Sequence, residues 1–436
     1  MSGYRPGPRM HLSLNLSEFG RHSGAWRHPW SDLAGVPNFD RYVECVHAAE
    51  RGRFDLVFLA DTPVHAAGRT SVTGTRLDPL ELLAALAVET TNIGMVATVS
   101  TSYNEPFDVA RRGASVDTLS GGRLGLNYVA STGEVMARNF NRDAQLPHDQ
   151  RYVRSGEFLE VVTDLWAGAS DGVTPAKAID HVGPHFTVRG ALDVLRPSDG
   201  RPLIVQAGSS PEGRDLAARW ADAIYAGGST LERAQEYYQD IKARTASYGR
   251  DPSSIKILLG VMPFLGETEQ SARELQATLD AYHLEGADTV RHLSGLLEFD
   301  LTGHDPNGPL PFAELPVVRS ASVSQATLFT RMAREEGLSI AEVARRSYVG
   351  GLANMQWVVT GTPQRVADEM QRWFEAGTAD GFAIVAPILP QTIDVFVAEV
   401  VPELQRRGLV RTEYEGTRAR EHFGLPPVLA TAPATR

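Results

Sequence analysis

The stretch Phe54-Asp55-Leu56-Val57-Phe58-Leu59-Ala60-Asp61 decides the fold. Its apolar centre is too short for a helix and ends on an acid, the pattern of a buried strand that delivers a polar side chain at its carboxyl end. Downstream, Asp78-Pro79-Leu80-Glu81 sets an N-cap acid, a first-turn proline and an N3 glutamate ahead of Leu82 to Thr90, so a helix follows. A second apolar run from Ile93 to Ser100 starts the unit again. Strand, helix and strand in that order predict a parallel sheet.

The unit repeats outward in both directions, about eight times in all. Strand candidates are Leu12 to Leu16, Asp55 to Ala60, Ile93 to Ser100, Leu124 to Val129, Leu203 to Ala207, Ala223 to Ala226, Ile255 to Met262 and Phe382 to Ala386. A helix beginning near Pro106 ends at Gly121-Gly122, where glycine relieves left-handed strain, and Thr362-Pro363 opens another that runs to Phe374. The expected fold is therefore α/β, a (β/α)8 TIM barrel.

Two stretches break the rhythm, roughly 167–201 and 287–347, and read as insertions. The second contains the turn-rich Gly303-His304-Asp305-Pro306-Asn307-Gly308-Pro309 and two helix candidates, Ser324 to Glu336 and Ser339 to Arg346. It is a candidate cover for one barrel mouth. Residues 1–425 form one domain on this reading, and 426–436, rich in Pro, Ala and Thr, read as a flexible tail.

A chain of 436 residues with 42% hydrophobic and 22% charged residues is long enough to fold around its own core. A formal net charge of -11 argues against nucleic acid, which needs a clustered basic surface. The first ten residues hold no apolar core of a leader, and no apolar run is long enough to span a membrane, so a cytoplasmic location is expected. The single cysteine, Cys45, lies in an apolar run and reads as a buried structural thiol.

In such a barrel the chemistry belongs at the carboxyl ends of the strands. Polar residues there are Asp61 after the second strand, Thr98 to Thr101 at the third, Asn127 to Ser131 at the fourth, and Gly208-Ser209-Ser210 after the fifth. The segment Gly208-Ser209-Ser210-Pro211-Glu212-Gly213-Arg214 joins a strand to a helix and suits a phosphate, though a simple helix cap explains it equally well. His148 and Tyr152 sit four apart across a helix start and can face one ligand. No H-E-x-x-H or other metal-ligand spacing occurs, so no metal is expected. Nor is there a G-x-S-x-G elbow, a P-loop or a dinucleotide fingerprint at a strand-to-helix turn.

Several of these segments, in order, resemble the nitrilotriacetate, EDTA, dibenzothiophene-sulfone and pristinamycin-synthase monooxygenase group of the luciferase-like flavin-dependent family. They are Gly24-Ala25-Trp26-Arg27, Phe54 to Asp61, Ala97-Thr98-Val99-Ser100-Thr101, Leu119-Ser120-Gly121-Gly122-Arg123, Ala137-Arg138-Asn139-Phe140, His148 with Arg151-Tyr152, Val205 to Ser210, and Val401 to Gly408. The resemblance spans nearly the whole chain. It implies a barrel of the bacterial luciferase type, reduced FMN (FMNH2) at the mouth, reaction with dioxygen to a C4a-(hydro)peroxyflavin, and oxygenation of a small organic substrate. It also implies FMN contacts from Asp61, Thr98, His148, Tyr152 and Ser210, and the neighbouring Asn127, Ser131 and Ser209 are expected to join them. His22, Trp26 and Arg27 follow the first strand and are candidates for the substrate side, with Arg27 suited to a carboxylate or a peroxide charge; the alternative is that Trp26 packs and Arg27 is paired at the surface. With no NAD(P)H signature in the chain, reduced FMN is expected from a separate NAD(P)H:flavin reductase, and the protein is expected to be a homodimer or homotetramer. The sequence departs from the group at Leu126, where tryptophan is usual, at Ala130, where threonine is usual, and at Asn141, where glycine is usual; these positions are expected to border the flavin. The alternatives are a deazaflavin-dependent hydride-transfer enzyme on the same barrel and a non-catalytic flavin-binding barrel.

Overall fold

The computed structural model describes residues 4, 7–33, 36–63, 77–131, 133–228, 230–284, 288–318, 323–349 and 356–428. Its strands are β1 (His11–Leu16), β2 (Leu56–Leu59), β3 (Gly94–Ser100), β4 (Leu124–Val129), β5 (Ile179–Val182), β6 (Thr187–Gly190), β7 (Leu203–Gln206), β8 (Ala223–Ala226), β9 (Lys256–Leu265), β10 (Trp357–Gly361) and β11 (Gly381–Ile384). Eight of them pair in parallel in the order β1-β2-β3-β4-β7-β8-β9-β11, and β11 returns to β1. This is the closed (β/α)8 barrel expected from the sequence, and its eight strands fall on the eight candidate runs.

Two features were not anticipated. The first insertion holds an antiparallel hairpin, β5 with β6. The buried Glu157 anchors it by accepting from His181 Nε2 at 3.0 Å and from the His185 and Phe186 N–H groups at 3.0 and 2.9 Å. The second is β10, which pairs with the upper half of β9, Val261 to Leu265, above the level where β9 pairs with β8. The second insertion carries the two expected helices, at Val323–Glu336 and Ile340–Val349, and a further one at Thr289–Leu297. They pack on a separate apolar core around Leu293, Leu297, Phe329, Ile340 and Val343.

Local signals explain the regular units. Asp78 caps the helix Pro79–Glu89 by accepting from Leu80 N at 2.9 Å. The helix Pro106–Ser120 ends at Gly121, with φ 68°, so that Arg123 turns back into the core. Its buried guanidinium donates to the carbonyls of Ala87, Thr90, Ile93 and Ser120. Cys45 is fully buried, and burial pushes its thiol pKa up, away from reactivity.

The amino-terminal end of the barrel is stitched by aspartates that precede a strand and reach a neighbouring one. Asp55 accepts from Leu12 N at 2.7 Å, Asp222 from Ile204 N at 2.9 Å, and Asp380 from Ile257 N at 2.9 Å. Each is buried and ion-paired, Asp55 with Arg411, Asp222 with Arg201 and Arg420, and Asp380 with Lys242, and Asp55 also hydrogen-bonds His11. Arg411 and Arg420 come from the carboxyl-terminal segment, which also inserts Ala419, Phe423 and Leu425 into the base of the barrel. Val428 N donates to the Asp199 carbonyl at 2.7 Å, so the segment expected to begin a flexible tail at 426 is held at least to that point. Residues 429–436 lie outside the described residues.

Burial alone would raise the Asp55 and Asp222 pKa values, but the neighbouring cations and backbone N–H groups outweigh it and hold both below the ordinary carboxylate range. A depressed folded-state pKa gives stability that is full above the unfolded value of about 3.9 and is lost as pH falls through the folded one. Acid unfolding should therefore begin below about pH 4. Asp222→Asn should destabilise by about 3 kcal/mol at pH 7, because it leaves the buried Arg420 and the half-buried Arg201 short of a countercharge, and should weaken the acid dependence; urea unfolding across pH measures both.

Candidate functional site

Parallel closure delivers the strand ends to one mouth, and inward-pointing residues alternate along each strand. Thr98 on β3 and Asn127 on β4 face the interior, where Asn127 Nδ2 donates to Thr98 Oγ1 at 3.1 Å. Just above, Ser131 Oγ donates to Ser100 Oγ at 2.7 Å, and the Ser131 carbonyl accepts from the buried Arg151 at 2.9 Å. Asp61 stands two residues beyond β2, half-buried at the rim.

The loop after β7 and the start of the helix His148–Gly168 meet on one side of this mouth. Ser210 caps the helix Pro211–Trp220 by accepting from Gly213 N at 3.2 Å. The Gly208 carbonyl accepts from the Tyr237 hydroxyl at 3.0 Å and the Ser209 carbonyl from Arg214 Nε at 2.9 Å, which removes two oxygens from competition with an anion. A β-carbon on Gly208 would lie 2.8 Å from the Gly213 Cα, and one on Gly213 would lie 3.1 Å from the Tyr152 hydroxyl. The His148 and Tyr152 rings lie 5.0 Å apart, and His148 Nδ1 is 3.8 Å from Glu212. Two helix amino termini, a histidine and a tyrosine thus converge beside Gly208 and Gly213, where there is no room for a β-carbon, the donor set a phosphate requires.

The loop after β1 supplies another wall. His22 is buried; its Nδ1 accepts from Gly24 N and its Nε2 donates to Asp280, each at 3.1 Å. That pattern orients the ring and ties the turn to the helix Glu269–Leu284. Arg27 stacks 4.8 Å over Trp26 and donates to the Tyr282 carbonyl at 2.6 Å. Beside them Met262, Phe264, Leu279 and Val385 form a buried apolar cluster.

Asp280 was missed by the sequence reading because nothing in a helix interior marks it as facing a histidine far away in the chain. Asn15 and Gln356, which line the same interior, were also missed. Asn15 had a signal, since it follows Ser13 in the alternation Leu12-Ser13-Leu14-Asn15-Leu16, whose leucines pack outward into the main core. Leu126 does not border the site: it is fully buried on the outer face of β4, close to Gly113 of the helix Pro106–Ser120. Asn141 adopts φ 57°, the left-handed conformation that explains why glycine is usual there.

Residues 20–380 match the family model described as luciferase-like monooxygenase. The chain is similar to N-acetyl-S-(2-succino)cysteine monooxygenase of Bacillus subtilis (strain 168), with 40% identity over 428 residues that cover 95% of this chain and 96% of that protein. It is 39% identical over 444 residues to nitrilotriacetate monooxygenase component A of Aminobacter aminovorans, covering 96% of each. A crystal structure of riboflavin lyase with modified FMN and its substrate riboflavin superposes with a TM-score of 0.84 at 29% identity, covering 95% of this chain and 96% of that one.

The left-handed turn at Asn141 gives a direct check on local strain. Asn141→Ala should lower stability by about 1 kcal/mol in urea unfolding, whereas Asn141→Gly should not lower it.

Proposed function

Since the chain belongs to the luciferase-like monooxygenase family, we propose that the mouth between the 207–213 loop and the upper inner wall of its barrel binds FMNH2. The protein is an FMNH2-dependent monooxygenase that acts on a small organic molecule. The observation that carries the site assignment is the close approach of Gly208 and Gly213, where neither position has room for a β-carbon, beside which His148, Tyr152 and two helix amino termini converge. When bound, reduced FMN supplies the electrons that let one atom of dioxygen enter the substrate while the other leaves as water.

The chain's own residues do the rest. His148, Tyr152, Ser209, Ser210 and the helix N–H groups hold the phosphate. Asp61, Thr98, Asn127 and Ser131 face the ribityl chain and ring. The cluster of Met262, Phe264, Leu279 and Val385 keeps water from the wall beside His22, and the His22–Asp280 bond sets that wall's position. Trp26 and Arg27 lie on the substrate side, on a turn held by the same helix.

The similar nitrilotriacetate enzyme is described as a component A, which supports a separate NAD(P)H:flavin reductase as the source of FMNH2. Among the described residues no helix is long and apolar enough to cross a membrane. We place the protein in the cytoplasm as a homodimer or homotetramer. The matched relatives are monooxygenases, which favours this reading over a deazaflavin hydride-transfer enzyme or a non-catalytic barrel.

An anaerobic titration with FMNH2 tests the placement. Gly213→Ala puts a β-carbon 2.9 Å from the Gly208 Cα and should weaken binding at least about tenfold. Unchanged affinity would move the phosphate elsewhere.

A further inference from the structure

Glu212 stands where an acid is least suited to an anion site. It is the second residue of the helix Pro211–Trp220, whose amino terminus Ser210 caps, and its Oε2 lies 3.8 Å from His148 Nδ1. A negative charge thus faces the histidine assigned to the flavin phosphate. Among the described residues no lysine or arginine pairs with Glu212, whereas Asp215, one turn on, is neutralised by Arg244 at 2.7 Å. The Glu212 side chain is 44% exposed, so it can turn out to solvent without unpacking its neighbours.

An acid in the first turn is favoured by the helix dipole, which places positive potential there. A phosphate bound at a helix amino terminus draws on the same potential and the same free N–H groups. Two negative groups a few ångströms apart repel, so the carboxylate and the phosphate exclude each other from that position. Asp149, in the first turn of the helix His148–Gly168, lines the same groove as Glu212 and Tyr152 and adds to the repulsion.

Resting on the FMN reading above, we propose that Glu212 is an internal competitor of the flavin phosphate. With the site empty, its carboxylate holds the place beside His148. With flavin bound, the phosphate takes that place and the carboxylate turns out into the groove. Binding then includes the displacement of Glu212, and release is helped by its return, so this one residue sets how tightly the flavin is held. The rivalry concerns the phosphate alone, at the far end of the cofactor from its ring. FMNH2 and FMN should therefore respond alike to the loss of Glu212, and riboflavin, which lacks the phosphate, should not respond.

The test titrates the full chain with FMNH2 anaerobically and with FMN and riboflavin in air, for wild type, Glu212→Gln and Glu160→Gln, with thermal unfolding of each. Glu160 lines the same groove about 18 Å from His148 along their shared helix, so its variant removes an equal charge at a distance from the phosphate. Glu212→Gln should bind FMNH2 and FMN about tenfold more tightly and riboflavin within about twofold of wild type. It should melt no higher than wild type, since a charge favourable to the helix is gone. Glu160→Gln should leave all three affinities within about twofold. Unchanged or weakened FMN affinity in Glu212→Gln, an equal gain for riboflavin, or an equal gain in Glu160→Gln would overturn the competition while leaving the flavin site standing. A wild type that binds neither FMNH2 nor FMN would overturn the flavin reading as well.

Discussion

The rest of the structure depends on parallel closure of the barrel, held at its amino-terminal end by buried carboxylates. Asp55, Asp222 and Asp380 each stand before a strand, accept a backbone N–H from a neighbouring strand and pair with buried or half-buried cations. Two of those cations, Arg411 and Arg420, arrive from the end of the chain, so the carboxyl terminus locks the register that the first strands begin. Breaking such a pair leaves an uncompensated buried charge, which makes these bonds costly to lose. With that end closed and packed, the opposite end is left to the loops.

Chemistry collects at that open end for the same reason. Once the register is fixed, the residues that end β2, β3, β4 and β7 face a common space, and the helices after β4 and β7 aim their free N–H groups into it. The two insertions leave the barrel itself intact. One is a hairpin anchored on Glu157, and the other is a helical layer with an apolar core of its own.

Most of the barrel was legible because its strands are short apolar runs bounded by capping residues, and local chemistry sets both. Asp78-Pro79 and Gly121-Gly122 do in the structure what their types dictate. β10 was not legible: it adds to the sheet outside the strand-helix rhythm, so counting βα units never asks for it. Gln356 was lost with it. The hairpin at 179–190 was hidden similarly, since its alternation is weak and exposed. In the site, residues that terminate strands could be named from sequence, because position along a strand fixes the end they face. Residues defined by long-range approach, such as Asp280 under His22, carry no local mark. The departures at Leu126 and Asn141 turned out to report packing and backbone conformation.

The central claim, oxygen chemistry on a flavin held in this mouth, is tested most directly by mixing the anaerobic protein–FMNH2 complex with oxygenated buffer while following near-ultraviolet and visible absorbance. A transient spectrum absent from free FMNH2, and lost in Gly213→Ala, is the predicted result. Oxidation at the free rate with no transient, in a protein shown to bind FMNH2, would contradict it.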